Sequence, residues 1–560
     1  MTSDKKNISL LADIFVKHGL TNIIISPGSR NAPIIISFAN NPKINTFTIV
    51  DERSAAFFAL GMALQTGKTT AIACTSGSAA LNYASAISEA YYQKIPLLIL
   101  TADRPQHLID VGDGQTIRQN EVFKNYVKKS CSLPLEINSE AEKNKCEQLI
   151  NEAINTCISP RPGPVHINIP FNEPLYNTEE ENFAGKAETL IFKNTLPDEN
   201  VQQIVTEANR CKKLMILVGQ AKPDKELNET INNISKHENI VVLSETTSNI
   251  YGENIIDTID NVVSTLDEED LKSFKPDILI SIKGQVVSKM IKKFFRNNKP
   301  SKHYHISPSG EKMDTFFCLT DAIGANETEF IKSLSEKSTP VESDFSSLWK
   351  QRKNNVDLSR DEYLNKLGYS DFKVFESIIN RLPEKTSLHL GNSTPVRYSQ
   401  LFGSKKGVVY NSNRGVSGID GQVSTAAGYS FYSDKLNVLI SGDLGFFYDS
   451  NSLMNNYLKP TLKIIVINNS GGGIFRFIPG PDTTPNMEES FVAKHNWKAE
   501  YICKAFDIGY LKATNQNEVE QALDEFFIVK SKTQVLEIFT PSDKSALILR
   551  EYFKVISKNI

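Results

Sequence analysis

Short runs of consecutive apolar residues alternate with longer amphipathic stretches along most of this chain. In the first third the runs are Ile23-Ile24-Ile25, Thr70 to Cys74 and Pro96 to Leu100, the pattern of strands covered on both faces. Helical spacing fills the intervals: Leu10 to His18, Ser54 to Gln65 and Ser78 to Tyr92. Pro160 to Pro164 introduces a last strand, Val165 to Ile169. A polar, acidic stretch from Asn177 to Asn194 reads as a linker. Beyond it, strands are predicted at Leu214 to Val218, Ile240 to Leu243, Ile278 to Ile282 and His303 to Ile306. A second polar stretch, Ser333 to Ser347, precedes strands at Ser387 to Leu390, Val408 to Tyr410, Val438 to Ile440, Leu462 to Ile467 and Thr533 to Ile538. No repeat is visible in the residues. The pattern predicts an α/β protein of three doubly wound domains with mostly parallel sheets, at residues 1–180, 195–335 and 358–560. Ligands of such sheets sit beyond the carboxyl ends of strands, which directs attention to loops that follow apolar runs.

Bulk properties narrow the class without naming a chemistry. A chain of 560 residues, 40% hydrophobic and 23% charged, fits a multidomain globular protein. Its formal net charge of −3 gives no general attraction to nucleic acid or to an anionic membrane. The seven cysteines, at 74, 131, 146, 157, 211, 318 and 503, stand singly with no CxxC pair, which suits reduced thiols and a cytoplasmic location. The start, Met1 to Lys6, lacks the apolar run of a signal peptide, and no stretch is long and apolar enough to suggest membrane insertion.

Two strand ends in the last third belong together. Asn437 to Ser441 leads into Gly442-Asp443-Leu444-Gly445, and twenty-six positions after Asp443 the run Leu462 to Ile467 ends in Asn468-Asn469-Ser470-Gly471-Gly472-Gly473. Neighbouring parallel strands can thereby offer a carboxylate, an amide oxygen and a free carbonyl to one hard cation, with glycines admitting phosphates to the backbone. Either half alone is an ordinary turn. The pair resembles the Gly-Asp…Asn-Asn motif of thiamine diphosphate enzymes. The resemblance implies Mg²⁺, or Mn²⁺ in its place, bound by Asp443, Asn469 and the Gly471 carbonyl. It also implies thiamine diphosphate held by Gly391, Ser393, Gly442, Asp443, Leu444, Gly445, Asn469, Gly471, Gly472 and Ile474. Leu444 stands where the wider superfamily has glycine.

Such a cofactor needs a carboxyl group beside its aminopyrimidine. Glu52, in Ile49-Val50-Asp51-Glu52-Arg53-Ser54, follows a strand and precedes a helix in the other cofactor-binding domain. Asp51 suits the helix cap and leaves Glu52 for catalysis. Thr75-Ser76-Gly77-Ser78 is the companion loop, adding Ser76 and Gly77 to the cofactor set. Gly61 to Thr69 imitates a phosphate-binding P-loop but has five residues between its glycines and runs helix to strand, so a helix end closed by Gly67 suffices.

Further strings narrow the branch: Ser26-Pro27-Gly28-Ser29-Arg30, Asp51-Glu52-Arg53-Ser54-Ala55, Thr101-Ala102-Asp103-Arg104-Pro105, Gly391-Asn392-Ser393…Arg397 and Ser412-Asn413-Arg414-Gly415-Val416-Ser417-Gly418-Ile419-Asp420-Gly421. Together with Gly-Asp-Leu they resemble the 2-succinyl-5-enolpyruvyl-6-hydroxy-3-cyclohexene-1-carboxylate synthases of menaquinone biosynthesis. The likeness covers the first and third domains well and the middle one thinly. Arginines after strand ends suit polyanionic substrates, because a guanidinium fork takes a carboxylate bidentately. The resemblance implies a transferase that decarboxylates 2-oxoglutarate and adds the remaining fragment to isochorismate. Its substrate pocket would comprise Ser29, Arg30, Arg104, Gln115, Ser393, Arg397 and Arg414, with Lys289 from the middle domain; Met290 stands where some relatives have arginine. Ile419 would prop the bent cofactor, and Ile474 and Phe475 would wall the reacting carbon. A homodimer or dimer of dimers is implied, the two cofactor-binding domains coming from different subunits. Another thiamine carboligase of the acetohydroxyacid synthase kind is the alternative, and a degenerate binding protein the non-enzymatic one. His303 and His305 read as structural, and Lys292-Lys293 as a solvated helix face.

Overall fold

The computed structural model describes residues 1–181, 183–190, 198–478 and 480–558. Three six-stranded parallel sheets organise them. The first holds β1 (Asn22–Ile25), β2 (Asn45–Thr48), β3 (Thr70–Cys74), β4 (Leu97–Asp103), β5 (Ser130–Ser132) and β6 (Val165–Pro170), in the order β2-β1-β3-β4-β6-β5. The central sheet holds β7 (Leu214–Val218), β8 (Ile240–Ser244), β9 (Ile255–Ile256), β10 (Ile278–Ile282), β11 (Lys302–Ser307) and β12 (Asp321–Gly324), in the order β9-β8-β7-β10-β11-β12. The third holds β13 (Thr386–Leu390), β14 (Val409–Asn411), β15 (Leu436–Gly442), β16 (Leu462–Asn468), β17 (Gly509–Ala513) and β18 (Gln534–Phe539), in the order β14-β13-β15-β16-β18-β17. The first and third sheets thus share one strand order, a structural repeat that leaves no trace in the residues.

In both, the winding reverses beside the first strand, between β1 and β3 and between β13 and β15. Helices leaving these neighbouring strands cover opposite faces, which opens a crevice at the carboxyl ends. The core strands are apolar and buried because both sheet faces are covered; β3, β4, β15 and β16 are almost wholly so. Of the strands the apolar runs did not reveal, β2, β5, β12 and β17 lie at sheet edges, where exposed or half-exposed positions interrupt the pattern, and β9 is only two residues long.

The first and third domains share one hydrophobic core. It joins Ile24, Ile72 and Ile99 of one sheet to Leu439, Ile464 and Val535 of the other, around the helices Glu52–Thr66 and Gln422–Phe431. These helices are the same connection in the two domains, each running from the second strand to the third. They cross backbone against backbone. A Cβ on Gly428 would lie 1.9 Å from the Phe58 carbonyl oxygen, and one on Gly61 2.1 Å from that of Thr425. Gly428→Ala should therefore destabilise the protein by about 1–3 kcal/mol or more, overriding the roughly 1 kcal/mol that alanine gains over glycine in a helix. A urea midpoint that rises instead would show that the crossing can yield.

Several local expectations are corrected. The segment Ser78 to Tyr92 is two helices, Ser78–Leu81 and Ala84–Gln93, because Asn82 and Tyr83 close the first. The helix Glu52–Thr66 begins at Glu52 itself, capped by the Asp51 carboxylate accepting the Ser54 N–H, and ends at Gly67 with φ 69°. The supposed linker Asn177 to Asn194 lies on the first domain where it is described: Thr178–Glu179 pairs with Thr2–Ser3, and Asp13 accepts the Gly185 N–H. Residues 182 and 191–194 of that stretch fall outside the described residues. The stretch Ser333 to Ser347 is largely helix end and helix start. The helix Phe345–Asn365 begins against the central domain, with Trp349 edge-on to Phe274, and finishes on the third, with Tyr363 beside Tyr552. Among the described residues no helix is long and apolar enough to cross a membrane.

Candidate active site

The carboxyl end of the first sheet gathers one half of the expected residues. Glu52 sits half-buried in the first turn of its helix, its Oε2 accepting a hydrogen bond from Asn82 Nδ2 at 3.3 Å. It lies near the end of β3: burial first, and then the Glu52 charge, push the Cys74 thiol up. The loops after β1 and β3 touch, since a Cβ on Gly28 would strike the Thr75 side chain. Ser76 and Gly77 are buried, and the Gly77 N–H donates to Gln119 Oε1 at 2.8 Å. Gln115, itself exposed with φ 54°, runs its backbone against Gly77.

Arg30 is 4% exposed; burial, then the like charge of Arg104, lower its pKa from the usual arginine value. Its guanidinium donates to the Phe171 carbonyl at 3.1 Å and pairs with Glu173 at 2.9 Å, while Arg104 pairs with Asp113 at 3.0 Å. Both forks already hold carboxylates of the chain, so they are shaped for that group. Ser29 is exposed beside them.

The third sheet gathers the other half. Asp443 is 2% exposed and opens the short helix Asp443–Tyr448 directly from β15, with no intervening turn, because a carboxylate suits a helix N-terminus. Its Oδ1 accepts the Leu444 N–H at 2.7 Å, and its Oδ2 accepts the Gly471 N–H at 2.9 Å, which ties the ends of β15 and β16. His495 Nε2 lies 3.4 Å from Oδ2, and its ring stacks on Trp497 at 4.4 Å. Asn469 is buried and donates from Nδ2 to Asp371 at 3.1 Å. Ser470 (φ 64°) and Gly471 (φ 144°) turn the loop sharply; a Cβ on Gly471 would strike the Val492 carbonyl. Gly391 and Gly445 both approach the side-chain oxygen of Gln422, which thus sits between the loops after β13 and β15. Gly442 has open space on its Cβ side.

These donors fit a magnesium diphosphate. They comprise one buried carboxylate, one amide oxygen turned away from its hydrogen-bonded nitrogen, and a backbone carbonyl, all hard oxygens at adjacent strand ends. Among the described residues no cluster of three His, Cys, Asp or Glu side chains offers a rival metal site. Leu444, Gly472, Ile474 and Phe475 are half-buried around the same loops, and Ile419 is 38% exposed.

The remaining cations meet where the central and third domains join. Arg397 folds back on the Ser393 carbonyl (Ser393 φ 74°), and Arg414 donates to Asn392 Oδ1 at 2.8 Å. Burial, then their mutual repulsion, lowers the Arg397 pKa, and burial lowers that of Arg414. Lys292 is the correction here. It is half-buried rather than solvated, and burial chiefly lowers its pKa among Glu245, Arg414 and Arg397. Lys289, Met290 and Arg397 line a cavity of about 240 Å³ with Phe477 and Ile478. A larger cleft, about 740 Å³, opens beside Lys94, Arg161 and Lys283, but those bases are already paired with Glu311 and Glu327. His303 and His305 share the Ser281 hydroxyl inside the central domain, and burial holds both near a pKa of about 4.

All three domains clasp the loop that carries Arg414. Glu89, 1% exposed in the first domain, accepts the Gly415 and Val416 N–H groups at 2.6 and 2.7 Å. Gln220 and Gln285 of the central domain donate to the Ser412 and Gly415 carbonyls at 2.8 and 3.0 Å. Glu89, Gln119, Asp371, Gln422 and His495 lie in no motif, and only contact across the fold reveals them. Asn392 stood inside a motif string without a role.

Glu245 couples the central domain to this junction. Its carboxylate accepts the Val287 and Ser288 N–H groups, both at 2.7 Å, just before the helix Lys289–Asn297. Burial raises its pKa to about 7. Its proton is held more tightly in the folded state, so this contribution is full below the unfolded value and fades as pH rises towards about 7. Glu245→Gln should remove that slope from thermal melts between about pH 4.5 and 7. An unchanged slope would assign the dependence elsewhere.

Comparison with known proteins adds a consistent pattern. Residues 7–126 match the thiamine pyrophosphate enzyme N-terminal TPP binding domain, and residues 392–538 match the C-terminal TPP binding domain. The chain is 42% identical over 550 residues to the 2-succinyl-5-enolpyruvyl-6-hydroxy-3-cyclohexene-1-carboxylate synthase of Flavobacterium johnsoniae, covering 98% of both. It is 40% identical to that of Christiangramia forsetii, over 96% of both, and 39% identical to that of Porphyromonas gingivalis, over 99% of this chain and 98% of the relative.

Proposed function

The chain belongs to the 2-succinyl-5-enolpyruvyl-6-hydroxy-3-cyclohexene-1-carboxylate synthase family of thiamine diphosphate enzymes, and on that footing we propose that it joins 2-oxoglutarate to isochorismate. It is a transferase that forms a carbon–carbon bond with thiamine diphosphate, in menaquinone biosynthesis. The bond from the carboxylate to the keto carbon of 2-oxoglutarate breaks as CO₂ leaves. A carbon–carbon bond forms as the four-carbon remainder adds to a ring alkene carbon of isochorismate, whose π bond opens and takes up a proton. The bound cofactor supplies the carbon nucleophile and the electron sink for both.

The chain's residues divide the remaining work. Asp443, Asn469 and the Gly471 carbonyl hold Mg²⁺ or Mn²⁺, which neutralises the diphosphate. Gly391, Ser393, Gly442, Leu444, Gly445 and Gly472 let the cofactor lie close to the backbone. Ser76 and Gly77 flank its pyrimidine, and Glu52 exchanges a proton with that ring. Ile419 would pack against the bound cofactor, while Ile474 and Phe475 would exclude water from the reacting carbon. Both substrates are dicarboxylates. Arg30 and Arg104, with Ser29 and Gln115, take carboxylates on one side, and Arg397 and Arg414, with Lys289 and Ser393, on the other.

The observation that carries the substrate assignment is the arginine arrangement: two pairs, each with one buried member (Arg30, Arg414) and one half-buried member (Arg104, Arg397), each beside a carboxyl end where the winding reverses. No ion pair or hydrogen bond links the two clusters among the described residues, and Glu52 and Asp443 likewise share no partner. Two copies, each lending its first domain to the other's third, would close both sites, so a homodimer or dimer of dimers in the cytoplasm is proposed.

The test is substrate dependence. Purified protein with thiamine diphosphate and Mg²⁺ should release CO₂ from 2-oxoglutarate rapidly only when isochorismate is present. Efficient turnover of pyruvate without isochorismate would point to an acetohydroxyacid synthase-like enzyme instead.

A further inference from the structure

Asp371 lies 98 residues before Asn469 and outside every motif, yet the two side chains meet. It opens the helix Asp371–Arg381 behind its cap, Ser370, and is 3% exposed. Its backbone N–H donates to the Ser545 hydroxyl at 3.0 Å, which anchors it from the last helix. Its Oδ2 accepts a hydrogen bond from Asn469 Nδ2 at 3.1 Å.

That bond has a consequence set by chemistry. A carboxylate only accepts hydrogen bonds, whereas a primary amide donates at one end and accepts at the other. Facing Asp371, the Asn469 amide must present its nitrogen, and planarity then turns Oδ1 to the opposite side. The flipped amide would oppose two acceptors at one end and aim N–H groups at a cation at the other. The space is also tight. A Cβ on Gly473 would lie 2.7 Å from Asn469 Nδ2 and 3.2 Å from Oδ1, so the loop bearing the glycines closes over this amide.

We propose that Asp371 is a positioning residue for the divalent metal, fixing the Asn469 amide so that its oxygen, and not its nitrogen, faces the ion. The inference rests on Asn469 being a metal ligand. Loss of such an outer partner typically weakens metal binding by about 10–100-fold.

The experiment is a titration of Mn²⁺, followed by electron paramagnetic resonance, into the metal-free full-length protein with thiamine diphosphate. Four chains are compared at a temperature where each keeps its circular dichroism: the parent, Asp371→Ala, Asp371→Asn and Asn469→Ala. Asp371→Ala should bind Mn²⁺ about 10–100-fold more weakly. Asp371→Asn keeps nearly the same shape, which guards against loss through misfolding. It can donate as well as accept, so it no longer dictates the amide orientation and should also bind Mn²⁺ more weakly than the parent. Parental affinity in either Asp371 variant would overturn the inference. If Asn469→Ala keeps parental affinity, the ligand assignment itself fails; if Asn469→Ala weakens while Asp371→Ala does not, only the role of Asp371 fails.

Discussion

Glu52→Gln should lower turnover by about 10²–10⁴-fold, the range that general acid–base groups contribute, while leaving thiamine diphosphate bound. The substitution keeps the length of the side chain and its acceptor for Asn82 Nδ2, and removes only the exchangeable carboxyl proton. The helix should survive it, because the cap belongs to Asp51. Cofactor retention, measured by calorimetry, therefore separates loss of chemistry from loss of the site. Full activity in the variant would remove Glu52 from the mechanism.

Asp443→Ala should have the opposite signature, abolishing cofactor retention before any question of chemistry arises. It deletes the one buried carboxylate of the metal set and the acceptor of the Leu444 and Gly471 N–H groups. Hydrogen bonds to a charged group contribute about 1.5–3 kcal/mol, so the apo protein should also lose stability. The sharper readout is ligand-linked stabilisation. A ligand at a hundred times its Kd adds about 2.7 kcal/mol to a folded protein. Thiamine diphosphate with Mg²⁺ should raise the melting temperature of the parent and leave that of Asp443→Ala unmoved. An equal rise in both would dismiss Asp443 as a metal ligand.

Core strands and the loops after them were legible in the residues because a strand covered on both faces must be apolar throughout. β1, β3, β15 and β16 announced themselves in this way, and so did the strings at Ser26–Arg30 and Gly442–Gly445. Edge strands such as β2 and β17 were not legible, since exposed positions blur the run, and β9 is only two residues long. The residues that orient the site were hidden for a different reason. Glu89 and Asp371 act through contacts across domains or across distant sequence, and no spacing encodes such contacts. Lys292 illustrates the limit on a helix. A lysine pair looks solvated in one dimension, yet the domain junction swings one member of it towards Arg397 and Arg414.

The glycine crossing is symmetric. It joins the same connection of two like-ordered sheets, so its two sides are equivalent surfaces, as in the self-matched contact of a two-fold dimer. A single module that once paired with its own copy, then was duplicated and fused, would leave this arrangement. The seam obeys one steric rule on both sides, with Gly61 and Gly428 occupying equivalent helices and each facing the carbonyl three residues before the other glycine.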